Sequence, residues 1–392
     1  MARVVLAMSG GVDSSVAAHF LRQQGHEVVG VFMRHGERSP AAGGTDAGGV
    51  PSGVRDPLLD AACTSAVPIG TGGLAILGER PDHKQGCCSA SDAEDARRVA
   101  DRLDIPFYAL DMQQEFGRII DYFVDDYLRG RTPNPCVMCN NWLKFGRLFD
   151  YADDIQAEFV ATGHYAQLVP HNDGCVQLHR GVDAGKDQSY VLFGIRRDRL
   201  RRMMLPVGGF DKPQIREIAT QLGLRVAGKR DSQEICFVTS GDHAQFIRQR
   251  RCSDDDRSGT IVTTDGRVVG QHQGIEAFTI GQRKGLGVAL GEPYFVVRIE
   301  PDSRRVVIGR RHELDRTELT ATDTNWLVSP PAGSFRCQAQ IRYQHQAQAA
   351  TARVEHDGRL RVVFDQPCFG IAPGQAVVCY RDTQVLGGGW IE

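Results

Sequence analysis

The chain has 392 residues, of which 41% are hydrophobic and 24% are charged. This composition excludes wholesale disorder and a fibrous class, and the length suits two or three domains. The 46 lysine and arginine residues are balanced by 48 aspartate and glutamate residues, which excludes a uniformly basic nucleic-acid coat but not local basic patches.

The number of cysteines and the lengths of the apolar runs indicate the cellular compartment. No apolar run approaches the roughly 20 residues that span a bilayer. A strand pattern begins at the third residue and leaves no room for a signal peptide, and 11 cysteines are an odd number for a disulfide framework. We therefore expect a cytoplasmic protein with reduced thiols, some of which act as ligands or nucleophiles.

The first third of the chain alternates strand and helix patterns. Apolar runs at Arg3–Met8 and Glu27–Met33 flank a segment with helical spacing, Val16–Gln24. This is the βαβ pattern of a parallel sheet covered by helices. The pattern stops between about residues 34 and 86, where 11 of the 44 glycines lie without any sustained period. A flexible insertion is expected there.

The pattern resumes with a helix over Ser91–Leu103, for which Ser91 is the expected N-cap with Glu94 three residues later. A strand over Ile105–Leu110 and a helix over Lys212–Leu222 follow. From Thr260 onward, short β-branched runs alternate with turn residues, which predicts a small antiparallel barrel or sandwich at the C-terminus. The predicted strands are Gly259–Thr263, Tyr294–Ile299, Arg305–Ile308, Ala352–Glu355, Leu360–Phe364 and Ala376–Tyr380.

A glycine pair lies where the first strand meets the first helix, in Ser9–Ser15 (Ser-Gly-Gly-Val-Asp-Ser-Ser). Adjacent glycines let the backbone approach an anion, and the helix N-terminus directs N–H groups at it. The spacing is neither that of a Walker A loop nor Gly-x-Gly-x-x-Gly. A tight capped turn is the alternative, but the aspartate and serines favour an anion-binding loop. The segment resembles the pyrophosphatase loop of ATP-dependent adenylating enzymes.

Two segments carry cysteines in defined surroundings. A turn bracketed by prolines holds Cys136 and Cys139 as C-x-x-C, and Cys236 lies in Asp231–Phe237. A zinc site needs four ligands, and Cys236 has no cysteine or histidine close by in sequence. The alternative for Cys236 is a buried small hydrophobe. The prolines favour a positioned thiol pair at Cys136 and Cys139.

Ten motifs follow one another along the chain: Met8–Ser15, Thr132–Asn140, Lys144-Phe145, Ala161–Tyr165, Lys186–Tyr190, Asp231–Phe237, Phe278–Gly287, Ile341–Tyr343, Pro373–Gln375 and Leu386–Gly389. In kind and order they resemble the bacterial tRNA-specific 2-thiouridylases (the MnmA or TrmU family), within the PP-loop ATP-pyrophosphatase superfamily. The resemblance runs nearly from end to end.

The fold class that this resemblance implies is α/β. It comprises a parallel-sheet PP-loop ATP-pyrophosphatase domain, a small mixed central domain and a C-terminal antiparallel β-barrel that contacts tRNA. Together with the pattern of elements, it predicts domains at residues 1–205, 206–290 and 291–392.

The implied activity is ATP-dependent 2-thiolation of the wobble uridine, position 34, in tRNAs of the lysine, glutamate and glutamine type. The implied cofactor is ATP with Mg²⁺, and the implied partners are tRNA and a sulfur donor such as a cysteine desulfurase or a sulfur-relay protein. The resemblance makes Cys139 the nucleophile and Cys236 the persulfide carrier. It places ATP against Ala7, Met8, Ser9, Gly10, Gly11, Val12, Asp13, Ser14, Met33 and Gly163. It places tRNA against Asn134, Pro135, Cys136, His164, Lys186, Asp187, Gln188, Arg342, Tyr343 and Gln375.

Two mechanisms remain open for the sulfur. A uracil oxygen is a poor leaving group until adenylation makes it a phosphate ester, after which a sulfur nucleophile can displace AMP. In one mechanism, Cys139 attacks a persulfide on Cys236 and leaves a disulfide or releases sulfide. Many family members have an acidic residue at the position of Cys136. With a thiol there, the set of Cys136, Cys139 and Cys236 can hold a [4Fe–4S] cluster with one open iron.

Two other functions are alternatives to tRNA thiolation. One is a PP-loop adenylating ligase that acts on a small acid or nucleotide, from which tRNA binding would distinguish this chain. The other is a non-catalytic tRNA- or metal-binding module, which tRNA-dependent release of pyrophosphate would exclude.

Overall fold

A computed structural model describes residues 1–34, 89–231, 235–238, 241–251 and 256–392 of the chain. These residues belong to one unit, formed by residues 1–36 and 85–392. The insertion expected at about 34–86 lies outside the described residues except for Arg34. Among the described residues, no helix is long and apolar enough to cross a membrane.

Most of the described α-helices lie in the N-terminal half of the chain. Backbone from Pro135 to Asp154 is helical throughout, because a π-helical segment at Cys139–Arg147 joins two α-helices. The described α-helices are α1 (Val12–Gln23), α2 (Ala90–Arg102), α3 (Gln113–Leu128), α4 (Pro135–Met138), α5 (Leu148–Asp154), α6 (Lys212–Gln221) and α7 (His243–Arg251).

The strands of the described residues form three sheets. They are β1 (Arg3–Ala7), β2 (Glu27–Arg34), β3 (Phe107–Asp111), β4 (Phe159–Ala161), β5 (Ala166–Pro170), β6 (Val176–Arg180), β7 (Met203–Met204), β8 (Gly259–Thr263), β9 (Val268–His272), β10 (Phe295–Glu300), β11 (Arg305–Gly309), β12 (Asp315–Trp326), β13 (Ser334–Gln340), β14 (Gln348–Val354), β15 (Leu360–Phe369), β16 (Ala376–Arg381) and β17 (Gln384–Ile391).

The first sheet is parallel, with the strand order β3-β2-β1-β4-β7. Alternate residues of β1 enter different cores: Val5 and Ala7 belong to one apolar cluster, and Val4 and Leu6 belong to another. Both faces of the strand are therefore covered, which explains its uninterrupted apolar run. The chain order reverses at β1, and in such sheets ligands bind at the carboxyl edge of that position.

Helix α2 confirms the predicted helix but not its cap. The N-cap is Ser89 rather than Ser91: Asp92 N donates to Ser89 Oγ at 3.2 Å, and Ser89 N donates to the Asp92 carboxylate at 3.1 Å. The Ser-x-x-Asp pattern at 89–92 forms the capping box in place of Ser91 and Glu94. Asp92 has a second bond that fixes it, because Lys229 Nζ lies 2.6 Å from its carboxylate.

The other two sheets confirm a mixed central part and a C-terminal barrel. The central sheet has the order β10-β11-β8-β9, with β8 and β11 parallel. In the barrel the order is β12-β15-β14-β13-β16-β17, and pairing of β12 with β17 closes it. Closure satisfies the backbone groups that an open edge would expose. The β5–β6 hairpin extends this sheet through β17, where Gln384 pairs with His179.

Candidate active site

A cavity of about 320 Å³ lies at the carboxyl edge of the parallel sheet. The loops after β1 and β4, the end of β2 and the start of the π-helical segment contribute to its wall. The predicted site residues on the wall are Ala7, Met8, Ser9, Gly11, Val12, Asp13, Ser14, Met33, Cys139, Gly163, His164, Lys186, Gln188 and Tyr343. The predicted site residues that do not line it are Gly10, Asn134, Pro135, Cys136, Asp187, Cys236, Arg342 and Gln375.

The segment Ser9–Ser15, which we call the phosphate loop, has a geometry that suits an anion. Gly10 has a φ of +70°, and a Cβ added there would lie 2.1 Å from the carbonyl oxygen of Asp92, so only glycine fits. Ser9 N donates to Ser14 Oγ at 3.2 Å, and Ser15 Oγ donates to Gly11 O at 2.8 Å. Helix α1 begins directly after this turn, so its first N–H groups face the cavity.

The loop after β4 packs directly on the phosphate loop. A Cβ on Gly163 would lie 2.7 Å from Ser14 N and 2.8 Å from the carbonyl carbon of Asp13. Any larger residue would therefore displace the backbone that begins helix α1. The predicted ATP residue Gly163 is thus held against the predicted ATP loop.

An ion-pair network that the sequence analysis did not find lies beside the loop. Lys212 Nζ lies 2.8 and 2.9 Å from the two carboxylate oxygens of Asp13 and 2.8 Å from Asp231 Oδ1. Tyr165 OH donates to Asp13 Oδ1 at 2.6 Å. Burial and the negative charge of Asp13 raise the pKa of Tyr165, so it remains a hydroxyl donor. Asp231 also accepts from Lys186 Nζ at 2.8 Å, and its pKa is lowered by these two lysines against the effect of burial.

A second lysine, Lys229, ties the phosphate loop to helix α2. Its Nζ donates to Gly10 O at 3.0 Å, to Asp92 Oδ1 at 2.6 Å and to Asp95 Oδ2 at 2.7 Å. The two carboxylates raise the pKa of Lys229 more than burial lowers it, so it stays charged. Lys212, through Asp13, and Lys229, through the Gly10 carbonyl, therefore both hold the phosphate loop in this conformation.

A signal for these residues was present in the sequence. Only six of the 46 basic residues are lysine, and four of the six line the cavity: Lys144, Lys186, Lys212 and Lys229. Only Lys186 was predicted. Lysine presents a compact point charge with rotatable donors, which suits phosphate oxygens and shared carboxylates, whereas arginine presents a fixed planar fork. In this arginine-rich chain, the few positions occupied by lysine were therefore a signal for the residues of the cavity wall.

His164 is buried in the cavity wall. Its Nδ1 lies 2.6 Å from Thr162 Oγ1, and its Nε2 lies 3.4 Å from Lys144 Nζ. Burial, followed by the positive charge of Lys144, holds the pKa of His164 well below 6.5. Because an ammonium only donates, the neutral ring carries its proton on Nδ1 and donates to Thr162.

Cys139 opens the π-helical segment and is half-buried in the cavity wall. The turn before it is held in place: Asn134 Oδ1 accepts from Val137 N at 3.3 Å as the N-cap of α4, with Pro135 next in the chain. Gln375 Nε2 of the barrel donates to Thr132 O at 3.0 Å and to Pro133 O at 3.1 Å. Cys136, on the first turn of α4, is exposed.

Cys139 and Cys236 lie in the same region of the fold. Both are half-buried and pack against one apolar cluster, formed by Met112, Phe116, Ile119 and Leu143. Cys236 is therefore not the fully buried hydrophobe that was the alternative for it. Within the described part of the chain, no three His, Cys, Asp or Glu side chains lie close enough to share a metal ion. Cys136, Cys139 and Cys236 do not fit a cluster in this arrangement.

The remaining predicted tRNA residues have defined structural partners. Asp187 accepts from Arg180, Gly181 and Ser189, and Arg342 donates to Ile280 O at 3.1 Å and to Gly370 O. Tyr343 is 39% exposed at the edge of the cavity. Partial burial, with Asp187, Cys136 and Asp231 near by, raises the pKa of Tyr343 to about 12.

Comparisons with known families match consecutive parts of the chain. The tRNA methyl transferase HUP domain matches residues 2–56 and 45–240. The tRNA methyl transferase PRC-barrel domain matches residues 244–310, and the aminomethyltransferase beta-barrel domain matches residues 316–391. Among solved structures, the chain is similar to a 4-thiouridine synthetase–RNA complex with bound ATP, with a TM-score of 0.35 and 16% identity over 64% of this chain and 50% of that one. Similarity at that level carries no argument about function.

Individual relatives match over the full length. The tRNA-specific 2-thiouridylase MnmA of Rhodopirellula baltica is 58% identical, over 100% of this chain and 96% of the relative. The tRNA-specific 2-thiouridylase MnmA of Carboxydothermus hydrogenoformans is 45% identical, over 100% of this chain and 97% of the relative. The chain therefore belongs to the tRNA-specific 2-thiouridylase family.

Proposed function

We propose that this enzyme uses ATP to replace the C2 oxygen of uridine 34 in tRNA by sulfur. Cys236 carries the sulfur as a persulfide, and the Cys139 thiol then attacks Cys236 to release the product. Membership of the 2-thiouridylase family supports ATP-dependent tRNA thiolation. The single observation that carries the assignment of residues is that the phosphate loop and Cys139 lie on one cavity wall.

The first step is adenylation of the uridine. Its C2 oxygen attacks the α-phosphorus of ATP, and pyrophosphate leaves. The N–H groups at the start of α1 would bind the phosphates, and the lysines of the cavity wall would offset the charge that develops on pyrophosphate. Mg²⁺ would arrive with ATP and neutralise phosphate charge, since it binds mostly to phosphate oxygens and water and needs few protein ligands.

The second step is sulfur transfer. The terminal sulfur of a Cys236 persulfide attacks C2, the C2–O bond breaks and AMP leaves. The Cys139 thiolate then attacks the inner sulfur of Cys236, which releases 2-thiouridine and forms a Cys139–Cys236 disulfide. A dithiol reductant restores both thiols. Cys139 and Cys236 pack against the same apolar cluster, which supports this reaction between them, and no step involves an iron–sulfur cluster.

The tRNA side of the site lies at the exposed edge of the cavity. Tyr343 is exposed there and near Cys136, and Lys186 and Gln188 line the wall. The target base must leave its stack to reach ATP, and aromatic side chains are common platforms for such bases.

We propose lysine, glutamate and glutamine tRNAs as substrates, a cysteine desulfurase or relay protein as sulfur donor, and a cytoplasmic location. The three-domain division at residues 1–205, 206–290 and 291–392 is part of the same proposal.

The test is a thiolation assay on a defined transcript. The enzyme is incubated with ATP, Mg²⁺, a lysine-tRNA transcript and a cysteine desulfurase with cysteine, and the digested tRNA is analysed for 2-thiouridine by mass spectrometry. We expect 2-thiouridine from the wild-type transcript and none from a transcript with cytidine at position 34. Release of pyrophosphate with a small acid and without tRNA would instead support the ligase alternative. Thiolation at another uridine would contradict the assignment of position 34.

A further inference from the structure

Two segments from distant parts of the chain both contribute to the wall of the cavity. Lys186 and Gln188 follow strand β6, whereas Tyr343 follows strand β13 of the barrel, and all three line the cavity. The proposed function brings a tRNA nucleotide in between them. The groups that hold these two segments against each other therefore determine the shape of the entrance.

Gln340, at the end of β13, holds the segment that carries Tyr343. Its side chain is buried, with the residue only 3% exposed. Its Nε2 donates to Arg342 O at 3.0 Å and to Tyr343 O at 2.9 Å, and its Oε1 accepts from Arg180 at 3.0 Å. Both amide hydrogens are thus used on two consecutive backbone carbonyls of the turn.

Arg180 connects Gln340 to the other segment. Its Nη1 lies 2.7 Å from Asp187 Oδ2, and its guanidinium lies 3.6 Å from the centroid of the Tyr380 ring. Asp187 also accepts from Ser189 N at 3.0 Å and from Ser189 Oγ at 3.0 Å. The chain of bonds from Asp187 through Arg180 to Gln340 is therefore continuous and largely shielded from water.

We propose that Gln340 is a positioning residue for the tRNA step: held by Arg180, it fixes the backbone of Arg342 and Tyr343 relative to Lys186–Gln188. A buried polar network in which the members are bonded specifies one geometry, and a small misplacement at a site lowers the rate strongly. Gln340 does not line the cavity, so it acts through Tyr343. The inference rests on the proposed function, because it takes the entering group to be a tRNA nucleotide.

The test compares Gln340→Met with Gln338→Met in the full-length enzyme. Methionine has a similar length and makes none of the three bonds, and Gln338 is an exposed residue on the same strand. We expect Gln340→Met to lower kcat/KM for tRNA by about tenfold or more, with the dissociation constant of a non-hydrolysable ATP analogue within about twofold of wild type. We expect Gln338→Met to match wild type in both. Wild-type kcat/KM in a folded Gln340→Met enzyme overturns the proposal.

A double-mutant cycle separates positioning from general destabilisation. If Gln340 acts through Tyr343, Gln340→Met adds less than about twofold to the loss already caused by Tyr343→Ala. A full, independent loss in the Tyr343→Ala background contradicts the proposal. Should Gln340→Met not fold, Gln340→Glu keeps the acceptor for Arg180 but replaces both donors to the carbonyls, and the same loss is expected. Wild-type kcat/KM in Gln340→Glu would also overturn it.

Binding of tRNA distinguishes failure of this inference from failure of the proposed function. If the wild-type enzyme binds a fluorescent lysine-tRNA transcript but does not thiolate it, the proposed function is wrong. The inference is then decided by fluorescence anisotropy with the same variants. Weaker tRNA binding by Gln340→Met, but not by Gln338→Met, supports it, and equal binding contradicts it.

Discussion

Lys212 Nζ lies 2.8 Å from Asp13 in the phosphate loop and 2.8 Å from Asp231, and the lysine side chain is 8% exposed. One ammonium thus joins the loop that opens helix α1 to Asp231. Without it, Asp13 would keep only the hydrogen bond from Tyr165 among the side chains that the structure describes, whereas Asp231 would keep its ion pair with Lys186, and a partly buried carboxylate without an ion pair is costly. Lys212 is therefore one of the groups that hold the phosphate loop and Asp231 next to each other.

We expect both Lys212→Met and Lys212→Arg to lower tRNA-dependent release of pyrophosphate by about 100-fold or more. Methionine removes the charge, and the planar guanidinium needs more room than a buried ammonium between two carboxylates. A coupled pyrophosphate assay measures the rate, with Lys284→Met at an exposed lysine as the control. Wild-type rates for Lys212→Arg would show that the site needs only a positive charge there.

The contact of Gly163 with the phosphate loop gives a second prediction. Because a Cβ on Gly163 would lie 2.7 Å from Ser14 N, Gly163→Ala must displace the start of α1. We expect ATP affinity to fall by about tenfold or more, measured by equilibrium dialysis. Gly209→Ala is the matched control, since a Cβ there meets no atom within 4 Å. Equal ATP affinity in the two variants would contradict the tight contact.

Much of the parallel sheet and the phosphate loop was predictable because the signals are local. Uninterrupted apolar runs define β1 and β2, and the glycine pair lies directly between β1 and α1. The strand β17 was missed for the opposite reason: Gly387–Gly389 looks like a turn. A Cβ on Gly388 would lie 2.2 Å from Val377 O, so these glycines are needed for close strand packing rather than for bending.

The ion pairs of the site were not predictable from local patterns. Asp13, Lys212 and Asp231 are far apart in sequence, and their meeting depends on how α6 packs on α1. The capping box of α2 shows the same limit, since Ser89 and Ser91 both have an acidic residue three positions later. Asp92, the partner of Ser89, is selected by its bond to Lys229, a contact that exists only in the folded chain.

The neutral state of His164 predicts part of the acid sensitivity of the fold. Its pKa lies well below 6.5 in the folded protein, so below about pH 6.5 the unfolded chain binds a proton that the folded one does not. Stability therefore falls as the pH falls through that range. Between about pH 7.5 and 5.5, we expect His164→Asn to lose about 1 kcal/mol less unfolding free energy than wild type. Urea unfolding at both pH values measures it, and equal losses would contradict the burial argument.

The near-zero net charge predicts how tRNA binding responds to salt. Binding must depend on local basic faces, because 46 basic residues face 48 acidic ones. Each phosphate contact releases counterions, so the logarithm of the affinity should fall steeply and linearly with the logarithm of the salt concentration. Anisotropy titrations with a lysine-tRNA transcript measure the slope. A salt-independent affinity would argue for a small-molecule substrate instead.

The exposed position of Cys136 predicts the outcome that separates the two sulfur mechanisms. Cys139 and Cys236 share an apolar cluster, whereas Cys136 is exposed on the first turn of α4. If sulfur is carried as a persulfide, Cys136→Ala should keep at least about half of the wild-type thiolation rate, while Cys139→Ser and Cys236→Ser should lose it by about 1,000-fold or more. A cluster held by three thiolates instead requires all three cysteines.

The measurement is anaerobic reconstitution with iron and sulfide, followed by visible absorption and the thiolation assay. Cys175→Ala, at a cysteine in the β5–β6 turn, is the control for removal of a thiol. We expect a colourless wild-type enzyme that thiolates tRNA with a persulfide donor, and a Cys136→Ala enzyme that does the same. A brown wild-type enzyme that is inactive without iron, together with an inactive Cys136→Ala, would establish the cluster mechanism. That result would also require the turn at Cys136 to move, because these three thiols do not form a ligand set in the described arrangement.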